Sequence, residues 1–147
     1  MSIVGIPTGG LKTVGQIIAT NEVTFRPDQN GLAIALELLL THTAGAPVID
    51  NSGKYIGFIN ECDVLKVLGQ GKELCNLVTE DIMRVGPIAV HGSTTLAEAA
   101  KRMEERGVLN LPVEEDGRVA YSVSRHDLLR EWVALGLEMG LGGWRGI

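Results

Sequence analysis

The sequence predicts an α/β fold of the α+β kind: two β-α-β-β-α repeats packed with pseudo-twofold symmetry. Three observations carry this. First, 147 residues make about one domain, or two half-size units that share a core. Second, the chain repeats itself: Ala46-Pro47-Val48-Ile49-Asp50 is echoed by Leu111-Pro112-Val113-Glu114-Glu115 at a separation of 65, and Asp63 by Asp127 at 64. The one-residue slip falls in a turn, Asp50-Asn51-Ser52-Gly53 against Glu115-Asp116-Gly117, where length changes cost little. Third, helical and extended apolar spacings follow one another in the same order in both halves. A unit of about 60 residues buries too little surface alone, so two must close one core together.

Each repeat opens on a short helical turn, Val14–Ile18 or Val78–Met83, leading to a short strand, Val23–Phe25 or Ile88–Val90. An amphipathic helix follows. Leu32, Leu36, Leu39 and Leu40 recur at helical spacing in the first repeat, as do Leu96, Ala99, Ala100 and Met103 in the second. Ser93 or Thr94 supplies the N-cap of the second of these, with Glu98 near its positive end. The next strand, Pro47–Ile49 or Pro112–Val113, takes its proline at a first or edge position, because proline lacks an amide donor. An Asn/Asp/Gly turn makes a hairpin with Tyr55–Ile59 or Val119–Val123, and a last helix starts near Asn60 or Ser124. The divisions are an N-terminal segment, 1–11; a first repeat, 12–68; a linker, 69–75; a second repeat, 76–135; and a Gly-rich tail, 136–147. That tail is too rich in glycine for a free helix, so Leu137, Met139, Leu141 and Trp144 either take cover from a partner subunit or stay disordered.

Composition removes several function classes. At 45% hydrophobic and 21% charged, the chain is not a disordered polypeptide. A net charge of −5 at pH 7 excludes nucleic-acid binding through bulk basicity. No run approaches the roughly 20 apolar residues of a membrane span. The start, Met1-Ser2-Ile3-Val4, lacks the basic and apolar regions of a secretion signal. Cys62 and Cys75 stand apart, which suits a reducing compartment and two small core side chains. The expectation is a cytoplasmic protein. His42, His91 and His126 share no metal-ligand spacing with one another or with the cysteines, so no metal is expected. Ser124, His126 and Asp127 lie too close together on one starting helix to line up as a catalytic triad, so no enzyme activity is expected. Gly69-Gln70-Gly71-Lys72 lacks the upstream glycine and following hydroxyl of a phosphate loop. Lys101-Arg102-Met103-Glu104-Glu105-Arg106 reads as a solvated helix face with internal ion pairs.

The ordered repeat, the Pro-Val after the first helix, and a small polar residue three before Asp at the last helix resemble tandem CBS domains, a pair often called a Bateman module. The resemblance covers residues 12–135. The family's hallmark is Gly-h-x-Ser/Thr-x-x-Asp, and each repeat keeps part of it. Gly57-Phe58-Ile59-Asn60-Glu61-Cys62-Asp63 carries Asn60 in place of the hydroxyl; Tyr121-Ser122-Val123-Ser124-Arg125-His126-Asp127 has lost the glycine. The resemblance implies a regulatory module that binds an adenine nucleotide (AMP, ADP or ATP) between its repeats, without another cofactor. It also implies a disc-like homodimer acting on a regulated protein that the sequence does not identify. By similarity, Asp127 and Asp63 accept hydrogen bonds from ribose, while Ser124 and Asn60 hold phosphate. The base is then expected to touch Pro87, Ile88, Leu111 and Pro112 in the second repeat, and Glu22, Val23, Ala46 and Pro47 in the first. The second site is the favoured one.

Elementary physics agrees with parts of this. A helix N-terminus offers unpaired amides and about half a positive charge to a phosphate beside Ser124. Arg125 and His126 add donors to an acidic protein, and a carboxylate, being acceptor-only, suits a sugar diol. Strand alternation puts Ser122 on the face of Ser124, and Phe58 on the face of Asn60. A base would meet a small polar wall in one repeat and an aromatic ring in the other, with Tyr121 turned away. Two other readings stay open. Ser124-x-x-Asp127 and Asn60-x-x-Asp63 also describe helix caps, worth about 1 kcal/mol with no ligand present, as in a ligand-independent interaction or dimerisation module. Another adenosyl ligand, S-adenosylmethionine or NAD, would fit the same chemistry. His42 is either a solvated loop residue or a phosphate contact from the neighbouring repeat. The apolar faces at Leu36–Leu40, Val108 and Leu109 are consistent with a dimer.

Overall fold

A computed structural model describes residues 12–17, 21–85 and 88–138, the span 134–138 by its backbone alone. After a 3₁₀ turn at Val14–Gln16 come α1 (Gly31–Thr41), β1 (Gly45–Ile49), β2 (Tyr55–Asn60) and α2 (Glu61–Gly69). A second 3₁₀ turn, Leu74–Asn76, leads to α3 (Thr79–Ile82), β3 (Val90–His91), α4 (Leu96–Arg106), β4 (Asn110–Glu115), β5 (Arg118–Ser124) and α5 (Arg125–Glu138). Helix α5 thus runs through Gly136, three residues into the expected tail; Met139, Leu141 and Trp144 lie outside the described residues, as does the 1–11 segment.

The strands form an antiparallel pair, β1-β2, and a three-stranded sheet ordered β3-β4-β5, with β3 parallel to β4. The expected strand Val23–Phe25 is reduced to single bridges, Asn21 to Ser122 and Phe25 to Val48. Neither proline sits at a strand end: Pro47 is third in β1 and Pro112 third in β4. Pro47 is tolerated because its edge is bridged around its nitrogen. The Phe25 amide donates to the Pro47 carbonyl at 2.9 Å, and the Ile49 amide to the Phe25 carbonyl at 2.8 Å.

The helices begin where short polar side chains can accept from their first amides. Asn30 caps α1, accepting from Leu32 and Ala33. For α4 the cap is Thr95, accepting from Glu98 at 3.2 Å, and neither Ser93 nor Thr94; Thr94 Oγ1 instead accepts from the His91 amide. The inward face of α1 is also not the leucine stripe. Ile34 and Leu38 are buried, whereas Leu36, Leu39 and Leu40 are 48%, 63% and 80% exposed. With apolar residues around most of its circumference, α1 has no unique stripe for periodicity to find. Val108, expected at the surface beside Leu109, is buried, and both cysteines are exposed rather than in the core.

Two apolar clusters form the interior, and they do not follow the sequence repeats. One gathers Val90, Leu96, Ala99, Met103, Val108, Leu111, Val113, Val123 and Leu128, but it also takes Val14 and Ile17 from the start of the first repeat. The other gathers Phe25, Ile34, Leu38, Ala46, Val48, Ile59, Val64 and Val67, and takes Ile82 from the second repeat, with Met83 packed against it. Each repeat lends its leading turn to the other's core. Matching bonds dock these turns: Val14 N–H to Thr94 O and Leu96 N–H to Lys12 O on one side, Thr79 N–H to Gln29 O and Gly31 N–H to Leu77 O on the other. Asn110, buried in β4, further ties the halves by donating its side-chain amide to the Gly45 carbonyl of β1.

Candidate functional site

The tips of α2 and α5 are built alike. At α5 the Ser124 hydroxyl accepts from the Asp127 amide at 3.1 Å, and Asp127 Oδ2 accepts from the Ser124 amide at 2.9 Å. At α2, Asn60 Oδ1 accepts from the Asp63 amide at 2.9 Å, and Asp63 Oδ2 from the Asn60 amide at 2.9 Å. Both are reciprocal capping boxes, the outcome expected of a short polar residue three before an acid. The first amide of each helix is also used, Arg125 by Leu109 O and Glu61 by Ala44 O. The amides of His126 and Cys62 are left as the first-turn donors without a backbone acceptor among the described residues.

The two tips differ in what surrounds them. Ser124, Arg125, His126 and Asp127 line a cleft of about 590 Å³ whose other wall is Asn21, Glu22, Val23 and Thr41–Ala44 of the first repeat. This volume lies within the range of ordinary small-molecule sites. His42 enters that wall because it ends α1 in the left-handed conformation, φ 53°. The Asp127 side chain is buried, and its Oδ1 also accepts from Arg130, one turn along α5, at 3.3 Å. Ser122 lies just inward on β5. Its amide donates to the Asn21 carbonyl at 3.0 Å, and its buried hydroxyl finds no partner among the described residues.

At α2 the corresponding space is filled by the chain. The segment leading to β3 crosses onto β2: the Arg84 amide donates to Phe58 O at 2.8 Å, and the Phe58 amide to Arg84 O at 3.1 Å. Gly57 makes the crossing possible, since a Cβ there would stand 2.5 Å from Met83 Sδ and 2.9 Å from Arg84 O. Arg84 Nε then donates to Asp63 Oδ1 at 2.8 Å, so both oxygens of that carboxylate are engaged. What remains is a crevice of about 150 Å³ lined by Phe58, Arg84, Ile88, Arg106, Leu111 and Pro112 among others.

This arrangement regroups the residues expected from sequence. Glu22 and Val23, assigned to the tip of Asp63, line the cleft of Asp127 instead. Ile88, Leu111 and Pro112, assigned to Asp127, stand with Phe58 in the small crevice. The cause is the crossing of each leading segment onto the opposite hairpin, shown by the Asn21–Ser122 and Phe58–Arg84 bridges. Ala46 and Pro47 are buried in β1, Ala46 within the first-half core, and line neither space. Pro87 lies outside the described residues. Sequence reasoning missed Arg84, Thr41, Thr43, Ala44 and Asn21; the only advance signal was the place of His42 before the Pro-Val segment. No group of three or more potential metal ligands occurs among the described residues, and none of their helices is long and apolar enough to cross a membrane.

Comparison with known proteins gives the same outline. The family model of the CBS domain matches residues 14–70 and again 78–134. Protein MK0525 of Methanopyrus kandleri is 28% identical over 120 residues, which cover 80% of this chain and 61% of that one. The chain therefore spans less than two thirds of that relative. Among solved structures, the CBS domain pair of protein MJ0100, in complex with 5′-methylthioadenosine and S-adenosyl-L-methionine, gives a TM-score of 0.75 at 25% identity, covering 85% of this chain and 98% of that one. CBSX2 of Arabidopsis thaliana, in complex with AMP, gives 0.72 at 26% identity, covering 86% and 98%.

Proposed function

The chain belongs to the CBS-domain family, and on that premise we propose that it binds an adenine nucleotide (AMP, ADP or ATP) in the cleft at the tip of α5. The observation that carries this is the joint lining of a 590 Å³ space by Ser124, Asp127, His126 and Arg125 from one repeat and His42 from the other. Phosphate is received by the Ser124 hydroxyl, the His126 amide and the imidazole and guanidinium groups around them, at the positive end of a helix dipole. Asp127, an acceptor only, serves the ribose hydroxyls. The buried Ser122 hydroxyl supports a polar ligand edge nearby, since an unmet buried polar group costs about 1–3 kcal/mol. The AMP complex of CBSX2 supports the same ligand class.

The role is regulatory. Both repeats wall the cleft, so an occupant favours one arrangement of the halves over others, and only such differential affinity shifts a conformation. The exposed Leu36, Leu39 and Leu40 of α1, with Leu65 of α2, fit a homodimer face, which light scattering would read as twice the chain mass. Thermal shift with AMP, ADP, ATP, S-adenosylmethionine and NAD tests the ligand. A tight ligand at a hundredfold excess over its dissociation constant adds about 2.7 kcal/mol. Asp127→Ala abolishes the response; an undiminished response would reject the site. One observation favours the ligand-independent reading, namely that Asp127 already closes a capping box. In that case no adenosyl compound shifts the melting temperature.

A further inference from the structure

We infer that the first hairpin turn holds a small tetrahedral oxyanion of the phosphate class between Arg26 and Arg118. This site is separate from the proposed nucleotide cleft, since neither arginine lines that cleft. It lies at the other end of β2 and β5, which run from here to the caps at Asn60 and Ser124, about 20 Å for strands of this length.

Both guanidinium groups converge on the four residues Asp50–Gly53. Arg26 comes from the leading segment of the first repeat, anchored where the Ile49 amide donates to the Phe25 carbonyl at 2.8 Å. Its Nη1 donates to the Asp50 carbonyl and to Asn51 Oδ1, each at 3.1 Å. Arg118 opens β5 in the second repeat and is bridged to Lys54. Its Nη1 fills the space that a Cβ would need at Gly53, a residue held in the left-handed region at φ 87°. With Thr24 and Ser52, these groups line a space of about 310 Å³, near the lower limit of small-molecule sites.

Two like charges thus meet over one turn of a chain whose net charge is −5, yet neither arginine forms an ion pair among the described residues. The nearby acids are engaged elsewhere. Asp50 Oδ1 accepts from the Ser52 amide, the Ser52 hydroxyl and the Lys54 amide, which staples the turn. Glu115, opposite Arg118 in the β4-β5 ladder, places Oε1 against Gly92. The Arg118 guanidinium makes no hydrogen bond among the described residues, and Arg26 uses only Nη1. The bond accepted by Asn51 Oδ1 leaves the NH2 of that side chain as a further donor. An oxyanion with several acceptor oxygens meets both guanidinium forks and cancels their repulsion. It ties the leading segment of the first repeat to β5 of the second.

Amide chemical shifts of the whole chain, followed while inorganic phosphate is added at constant ionic strength, test this. In the wild type the amides of residues 50–54 and 118 move together and saturate. Arg118→Met removes the charge without breaking a side-chain hydrogen bond, and it raises the midpoint about tenfold or more. Arg118→Lys keeps a charge without the fork and falls between the two. Amides at 50–54 that stay still in the wild type, or that move with the same midpoint in Arg118→Met, would overturn the inference. So would movement confined to residues 124–127, which would put the phosphate at the α5 tip. Arg26→Met weakens the same response, and an unchanged midpoint there would equally reject the pairing of the two arginines.

Discussion

The tips of α2 and α5 share a capping box almost atom for atom, yet one opens on a cleft and the other on an arginine. The local motif therefore does not decide what surrounds each tip. The group facing each tip arrives on a crossed leading segment, Arg84 from 21 residues beyond Asp63 and Asn21 from far upstream of Asp127. Duplicated units diverge most cheaply in such segments, because changing one side chain there leaves the cap and its stability in place.

Mutation of the two halves at equivalent positions gives the largest expected effects. Leu96, buried at the start of α4, corresponds to Gly31 at the start of α1. Leu96→Ala costs about 2–5 kcal/mol in urea unfolding, the range for a core leucine. Gly31→Ala costs less, about 1–3 kcal/mol, because its new Cβ would stand 2.6 Å from the Leu74 carbonyl oxygen and the linker turn must give way. Both should lower a single transition, since the exchanged turns place part of each repeat in the other's core. Two separate transitions would break that picture, and a neutral Gly31→Ala would mean that the linker turn is not packed there.

A smaller effect sharpens the comparison at high pH. The Tyr55 hydroxyl donates to the Ile88 carbonyl at 3.0 Å, and the Tyr121 hydroxyl to the Val14 carbonyl at 2.7 Å, each reaching a leading segment of the chain. Burial pushes both phenols above their ordinary value of 10.0, with Glu114 adding to the shift of Tyr55 and Glu115 to that of Tyr121. The folded state therefore binds these protons more tightly than the unfolded state. Their contribution is intact below about pH 10 and is lost as pH rises above it. Melting temperatures should fall between about pH 9 and 11, and Tyr55→Phe, at the more buried site, should flatten that fall more than Tyr121→Phe. Equal slopes in both variants and the wild type would remove the tyrosines as its cause.

Much of the fold was legible in the residues. The hairpins follow from the turn residues of Asp50–Gly53 and Glu115–Gly117, and the last helices from Asn60 and Ser124 as caps. The burial of α1 was not legible, because leucines all round it offer several equivalent stripes and tertiary packing chose Ile34 and Leu38. Nor was the exchange of leading turns. Val14 and Ile82 have the same spacing whether they pack on their own repeat or on the other, so periodicity is blind to the difference. That exchange is also why Glu22 and Val23 traded places with Ile88, Leu111 and Pro112. Arg84 gave no sign of its pairing with Asp63, 21 residues away, since no local spacing or cap signal links an arginine to a carboxylate at that distance.

The crossed segments have a consequence for dissection. A cut at Gly71, in the exposed linker, yields two pieces of nearly equal size, and neither one owns the whole lining of the α5 cleft or of the crevice beside Phe58. The front piece would carry Asn21 and His42 with no acid to face them, and the rear piece Asp127 with half its wall missing. The α5 cleft is a property of the join, so reuniting the severed fragments would itself serve as an assay for a compound proposed to settle into it.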